Sequence, residues 1–179
     1  MSRIFKLSQY CSFKVWIVSA VLMALFMGVI LPYEAGQYAE ATNQLAAPDT
    51  QLFYTANWLF ELASNLGEEG RRFYIISRLR FDVLWPLVFT FFFFTSIALL
   101  YKDAKYKKYF LVLPFLGLVF DYLENSSVSI VFFIYPERLT WLAALAGFFT
   151  FFKWLAIAVI VGILITGMVR LVTSITRVK

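Results

Sequence analysis

Four long apolar segments constrain this chain more than any other feature of its sequence. They cover about residues 15–31, 83–101, 109–135 and 141–169, and a helix needs about 20 largely apolar residues to cross a bilayer. Only 15% of the residues are charged, against about a quarter in ordinary soluble domains. The sequence therefore predicts an all-α membrane protein, in which a four-transmembrane-helix bundle forms a single membrane domain over residues 1–179.

Basic residues are concentrated in three regions that this arrangement puts on one side of the membrane. These are the N-terminus, the C-terminal tail and residues 102–108, which contain four lysines, whereas most acids lie within 32–81. Because cytoplasmic loops carry an excess of Lys and Arg, we expect both termini to be cytoplasmic, in a bacterial cytoplasmic membrane. We interpret the basic surfaces as topology signals and as contacts with membrane lipids, and we expect no nucleic-acid partner.

The segment 32–81, between the first two spans, faces the outer side in this topology. Apolar residues in its middle part recur at spacings of three and four, which predicts an amphipathic helix. Asp49 or Thr50 can cap this helix and Gly67 can end it, while residues 32–48 are predicted to be loop. We therefore expect an outer amphipathic helix between spans 1 and 2.

A further helix is predicted to begin at Glu68 and to run into the second span. One face of this helix carries polar and aromatic residues at spacings of three or four: Arg71, Tyr74, Arg78, Asp82 and Trp85. Arg78 and Asp82 are four residues apart, so they can form a salt bridge. Pro86 removes the backbone hydrogen bond to residue 82, and we expect a kink there.

Polar residues interrupt the third apolar segment in its middle. Asp121, Glu124 and Asn125 fall on one face of the predicted helix. Carboxylates are costly in hydrocarbon and, within spanning helices, face other helices or trapped water. We therefore expect these three side chains to point into the bundle.

The depth of each residue in its helix indicates which of them can meet. With a rise of about 1.5 Å per residue, Glu124, Lys153 and Asp82 all lie roughly 24–28 Å above the cytoplasmic edge, and Asp121 is one turn deeper. An unpaired buried charge costs several kcal/mol. We therefore predict a buried polar cluster in the outer half of the membrane, with Lys153 and Arg78 as counter-ions. Asp121 has the least obvious cationic partner.

Two interpretations of this cluster stay open: it either fixes the packing of the helices, or it forms a ligand-binding, proton-exchanging or catalytic site. The candidate site residues are Arg71, Tyr74, Arg78, Asp82, Asp121, Glu124, Asn125 and Lys153. No catalytic residue is assigned among them. Intramembrane ionisable residues favour a functional interpretation.

Four motifs occur together within residues 67–169: GR-x2-Y, D-x3-P, D-x2-EN and T-x2-KW. They fall on Gly70, Arg71, Tyr74, Asp82, Pro86, Asp121, Glu124, Asn125, Thr150, Lys153 and Trp154. In this combination the chain resembles an uncharacterised family of small four-span integral membrane proteins, mostly bacterial. The resemblance implies a four-span fold and a site at these residues, and no activity.

The composition excludes several kinds of chemistry. The chain has no histidine and one cysteine, which excludes His-ligated haem, HExxH zinc sites, Ser-His catalysis and an intramolecular disulfide. A metal ion could bind only through carboxylates, which would favour Mg²⁺ or Ca²⁺. Lys153 competes with that interpretation, so we expect neither a metal ion nor a cofactor.

Three functional hypotheses follow. In the first, the cluster binds a lipid or small amphipathic ligand: its basic residues orient an anionic headgroup, its carboxylates serve as acid or base groups, and catalysis stays open. In the second, the protein is an accessory or assembly subunit with a structural cluster, and residues 91–94 (FFFF) contact another membrane protein or a second copy. The third is an ion-coupled transporter, for which four spans are few and no inverted repeat is visible.

Overall fold

The computed structural model describes residues 2–177, and the regular structure in this range is helical. Helices account for 81% of the chain, and the described residues contain no strand. Four helical stretches are long and apolar enough to cross a membrane: Phe13–Ala41, Ala56–Leu100, Lys107–Ile134 and Thr140–Thr173. This confirms the prediction of an all-α protein with four long apolar helices, which is consistent with an integral membrane protein.

The helices follow one another with short connections. They are α1 (Ser2–Ser8), α2 (Phe13–Leu25), α3 (Leu31–Ala41), α4 (Ala56–Arg80), α5 (Trp85–Leu100), α6 (Lys107–Phe110), α7 (Leu113–Ile134) and α8 (Thr140–Arg177). A π-helical turn, Phe26–Ile30, joins α2 directly to α3. A short 3-10 turn, Pro48–Thr50, lies between α3 and α4.

The prediction of a loop over residues 32–48 is wrong for its first part, because α3 continues the first apolar helix to Ala41. In the π-helical turn the N–H group of Leu31 bonds to the carbonyl oxygen of Phe26, five residues back. This wider turn accommodates Pro32, whose ring would otherwise meet the carbonyl group of the preceding turn. The residues that follow are rich in alanine and glutamate, which favour a helix even though they are less apolar.

Helix α4 begins later than predicted. Its N-cap is Thr55, whose hydroxyl oxygen accepts a hydrogen bond from the N–H group of Trp58 at 3.3 Å, so the predicted caps Asp49 and Thr50 are wrong. Gly67 interrupts the helix, as expected, with φ 62° and ψ −175°. That φ value favours glycine, which has no side chain to strain. The helix continues beyond this kink instead of ending there.

Helix α4 does not run unbroken into α5. Residues 81–84 form a turn, and α5 starts at Trp85 with Pro86 in its first turn. Proline is well tolerated at that position because no helical carbonyl group needs its missing N–H. The break therefore lies at the kink that Pro86 predicts.

The helices pack around two apolar clusters. One contains buried residues of α4, α7 and α8, among them Leu59, Val128 and Ala143. The other is centred on α5 and includes Phe93 and Phe94. Because these two phenylalanines are buried, the 91–94 run does not present its whole surface to a partner.

Helix α2 packs against α5. The indole N–H of Trp16 donates a hydrogen bond to Ser96 Oγ at 3.0 Å, and the hydroxyls of Ser19 and Thr95 share a hydrogen bond of 2.8 Å. These contacts hold α2 on one side of α5, whereas α8 packs on α5 and extensively on α7. Open space therefore remains between α2 and α8, with α5 as its floor.

Candidate functional site

Lys153 of α8 lies between two carboxylates of α7. Its Nζ atom donates a hydrogen bond to Glu124 Oε2 at 2.5 Å and lies 3.3 Å from Asp121 Oδ1. The amide nitrogen of Asn125 donates to Asp121 Oδ2 at 3.0 Å, one helical turn along α7. All four side chains are buried. The sequence left Asp121 with the least obvious cationic partner, and in the structure that partner is Lys153, which reaches both acids.

Arg78 of α4 forms a second group with two acids. Its Nη1 atom donates hydrogen bonds to Asp82, one turn further along the chain, and to Asp49 Oδ2 at 3.0 Å. The guanidinium carbon also lies 4.5 Å from the centre of the Tyr74 ring, a distance typical of a cation–π contact. Asp82 is buried, whereas 29% of the Asp49 side chain is exposed. The sequence predicted the pair of Arg78 with Asp82.

Asp49 is a site residue that sequence reasoning missed. It lies in the short turn between α3 and α4, 29 positions before its partner Arg78. Burial acts to raise the pKa of Asp49, but the charges of Arg78 and Lys153 act against it and hold the pKa below its ordinary value. No local pattern in the sequence shows that this turn folds back onto α4.

The residues just before α4 lie directly on α8. A Cβ atom added to Gly147 would lie 2.0 Å from the backbone oxygen of Tyr54, so only glycine permits this approach. Tyr54 is buried, and burial raises its pKa, to which the negative charge of Glu124 adds. The segment containing Tyr54 therefore covers the Lys153 group from one side. Sequence analysis did not find this contact.

A cavity of about 550 Å³ opens beside both charged groups. Its polar wall is formed by Asp49, Asp82, Asp121 and Lys153, and its apolar wall by Met23, Met27, Leu31, Trp85, Phe89, Phe93 and Ile157. Trp154 also lines it, and the buried indole N–H of this residue has no hydrogen-bond acceptor among residues 2–177. The cavity is thus charged at one side and apolar at the other.

A second, apolar space adjoins this cavity. It has a volume of about 650 Å³ and lies between α2 and α8, with residues of α5 as its floor. Phe93 lines both spaces, so they are adjacent. We call the cavity and this space together the α2–α8 groove. The groove is long, apolar over most of its length, and charged at one end.

Acids outnumber bases at the charged end. Four carboxylates (Asp49, Asp82, Asp121 and Glu124) surround the two cations Arg78 and Lys153. Each cation is therefore shared by two acids, and the ionised cluster carries an excess of two negative charges. A buried excess charge is unfavourable unless protons or a cation compensate it. No group of three or more acids or thiols within the described residues is arranged to hold a metal ion.

Two of the candidate residues stand apart from these ion pairs. Arg71 donates a hydrogen bond to the carbonyl oxygen of Ala63 at 2.8 Å and lies over the Tyr135 ring at 4.6 Å. Tyr74 is fully buried and packs edge-on against Phe132, besides its contact with Arg78. Arg71 thus holds α4 together across its kink, and Tyr74 supports Arg78.

No protein-family model, no curated protein and no solved structure matches this chain. The resemblance to small four-span membrane proteins therefore stays a prediction. Fold and site together define the class: four helices able to span a membrane around a buried charged cluster of Lys153, Asp121 and Glu124.

Proposed function

We propose that this protein binds a lipid or small amphipathic molecule within the membrane, with the polar group at the charged end of the α2–α8 groove. The observation that carries the proposal is that a charged cavity of about 550 Å³ and an apolar space of about 650 Å³ lie next to each other and share Phe93 in their walls. Ligand pockets commonly have volumes of roughly 300–1,000 Å³ and a few convergent polar groups in an apolar wall. A groove of this shape fits an apolar chain that carries one polar end.

The chemistry of the charged end favours an amine over an anion. Asp82 and Asp121 line the cavity, and the cluster has two more acids than bases. Aromatic rings of Trp85 and Trp154 line the same cavity, and such rings attract ammonium groups. An anionic headgroup fits less well, because the guanidinium of Arg78 is already engaged by two carboxylates.

We further propose that the site lies in the outer half of a bacterial cytoplasmic membrane, with both termini cytoplasmic. The distribution of Lys and Arg supports this orientation. The part of α4 before Gly67 would then be the outer amphipathic helix over the mouth of the bundle. Its face with Leu59, Ala63 and Leu66 is buried against the bundle.

Two carboxylates of the cavity could also give the protein a catalytic role, as acid or base groups. Asp82 and Asp121 both line the cavity, whereas Glu124 is fully buried behind Lys153 and does not. Asp82 and Asp121 are therefore two buried carboxyl groups that can exchange a proton with a bound ligand. The accessory-subunit hypothesis has less support, because Phe93 and Phe94 are buried within the protein.

The test compares three probes that share one chain and differ only in their polar end: dodecylamine, dodecanol and dodecanoate. Binding to the purified protein in nanodiscs is measured for the wild type and for Asp121→Asn, with the exposed-site variant Leu155→Met as control. We expect saturable binding of the amine, weakened about tenfold or more by Asp121→Asn, since a hydrogen bond to a charged group contributes about 1.5–3 kcal/mol. Equal binding of all three probes, unchanged in Asp121→Asn, would contradict the proposal. A stoichiometric protein partner instead would favour the accessory subunit.

A further inference from the structure

A separate crevice lies at the other end of the bundle, far from the charged cluster. Its volume is about 510 Å³, and it lies between α8 and the segment 101–110. Arg170 at its rim is 17 positions beyond Lys153 on α8, which corresponds to about 25 Å along the helix. The crevice shares no lining residue with the charged cavity that contains Asp82 and Asp121.

Two glycines lie in the part of α8 beside this crevice. A Cβ atom at Gly167 would lie 3.0 Å from the Tyr101 ring and 3.2 Å from the side chain of Leu100, so α8 is held close to the end of α5 there. At Gly162, which lines the crevice, a Cβ atom would meet no heavy atom within 4 Å. Helix α8 is thus tightly packed at one glycine and open at the other.

Among the described residues that line the crevice, Arg170 is the cation that stays available to a ligand. Tyr101 donates a hydrogen bond to the carbonyl oxygen of Ile163 at 2.8 Å, and Thr166 donates to that of Gly162 at 2.8 Å. Arg170 is exposed and donates a hydrogen bond to the hydroxyl oxygen of Tyr106 at 3.0 Å. Since a guanidinium group has five N–H donors, Arg170 can bind an anion while it keeps Tyr106.

The segment that carries Tyr106, the hydrogen-bond partner of Arg170, is strongly basic. The segment 102–108, which contains Tyr106, carries four lysines and one acid, Asp103. The floor of the crevice is apolar, with Val159, Ile163 and Phe110. A ligand that fits both the basic rim and the apolar floor has a negative charge at the membrane surface and an apolar chain that extends along α8.

We propose that this crevice binds an anionic phospholipid, with its phosphate group on Arg170 and its acyl chain over Val159 and Ile163. A planar guanidinium binds phosphate oxygens through paired hydrogen bonds. Basic residues at the membrane surface attract anionic lipids. Scattered surface lysines attract anionic lipids without fixing where they bind, whereas the crevice fixes one binding position. This site is independent of the ligand proposed for the α2–α8 groove.

Two variants test the site by different routes. Arg170→Gln removes the charge, and Gly162→Leu fills the crevice where the structure has free space, so the fold is retained. Lys14→Gln is the matched control, because it removes one positive charge at an exposed position outside the crevice. Each protein is placed in nanodiscs of phosphatidylcholine with a minor fraction of phosphatidylglycerol. Retained lipid is then counted by native mass spectrometry.

We expect the wild type and Lys14→Gln to retain phosphatidylglycerol, and both crevice variants to retain about tenfold less. Inorganic phosphate added to the protein in detergent should cause no shift of the melting temperature. Equal loss in Lys14→Gln would overturn the proposal in favour of a diffuse charge effect. Full retention in Gly162→Leu would also overturn it, and a shift with inorganic phosphate would make the crevice a free-anion site.

Discussion

Replacement of Lys153 by methionine is the sharpest test of the buried cluster. Methionine keeps much of the length and apolar stem of lysine but removes the ammonium group. In the structure that group is 2.5 Å from Glu124 Oε2 and 3.3 Å from Asp121 Oδ1, and the exposed fractions of the two carboxylate side chains are 0% and 8%. Lys153→Met therefore strands two buried acids at once. Glu124→Gln strands none, because Lys153 keeps Asp121.

The two substitutions should therefore lower the free energy of unfolding by different amounts. Removal of one partner of a buried ion pair costs about 3–5 kcal/mol, so we expect Lys153→Met to lower the free energy of unfolding by at least that amount. Glu124→Gln keeps a neutral acceptor near the ammonium group and should cost about 1–3 kcal/mol. The double variant leaves only Asp121 uncompensated, and its cost should fall below the sum of the single costs by about 0.5–3 kcal/mol.

The assay is equilibrium unfolding in mixed micelles, followed by the loss of helical circular dichroism. Leu155→Met serves as control, since this side chain is exposed on the same helix and should change the stability by less than about 0.5 kcal/mol. Strict additivity of the two substitutions would show that Lys153 and Glu124 do not interact. A larger cost for Glu124→Gln than for Lys153→Met would refute the shared-cation arrangement.

Three further predictions concern the turn before α4 and the topology. Gly147→Ala places a methyl group 2.0 Å from a backbone oxygen, so it should destabilise the protein by about 1–3 kcal/mol in the same micelle assay; unchanged stability would mean that the covering segment is displaced at no cost. The pKa of Asp49 is lowered in the folded protein, so its pairing with Arg78 stabilises the fold above the ordinary value of 3.8 and is lost as the pH falls below it. Asp49→Asn should remove that part of the acid sensitivity, and an identical pH profile would contradict the pairing. Single cysteines at Ser2 and Asn43, in a background without the native cysteine, should label from opposite sides of the membrane; equal labelling from outside would contradict the topology.

Fixed helix geometry explains why part of the site is visible in the sequence. Glu124 and Lys153 lie on different apolar segments, yet the constant rise of a helix places them at the same depth, and buried charges at one depth pair with each other. The spacing of four residues likewise predicts the contact between Arg78 and Asp82. Both pairs are present in the structure.

The rest of the site depends on tertiary contacts that no periodicity records. Asp49 reaches Arg78 because the turn after α3 folds back over the bundle, and Gly147 permits the approach of Tyr54 only in that fold. The excess of acids over bases was hidden for the same reason, since Asp49 looked like a helix cap. The α2–α8 groove could not be predicted either, because it results from α2 packing on α5 and leaving α8 uncovered.

The most direct test of the central claim is to locate a bound amine in the membrane-embedded protein. A dodecylamine with a photoreactive group at the end of its chain is crosslinked in nanodiscs, and the labelled residues are mapped by mass spectrometry. The account predicts saturable labelling of side chains that line the α2–α8 groove, such as Phe93 and Met168, which dodecanoate does not displace. Labelling spread over exposed positions such as Phe133, with none in the groove, would contradict it.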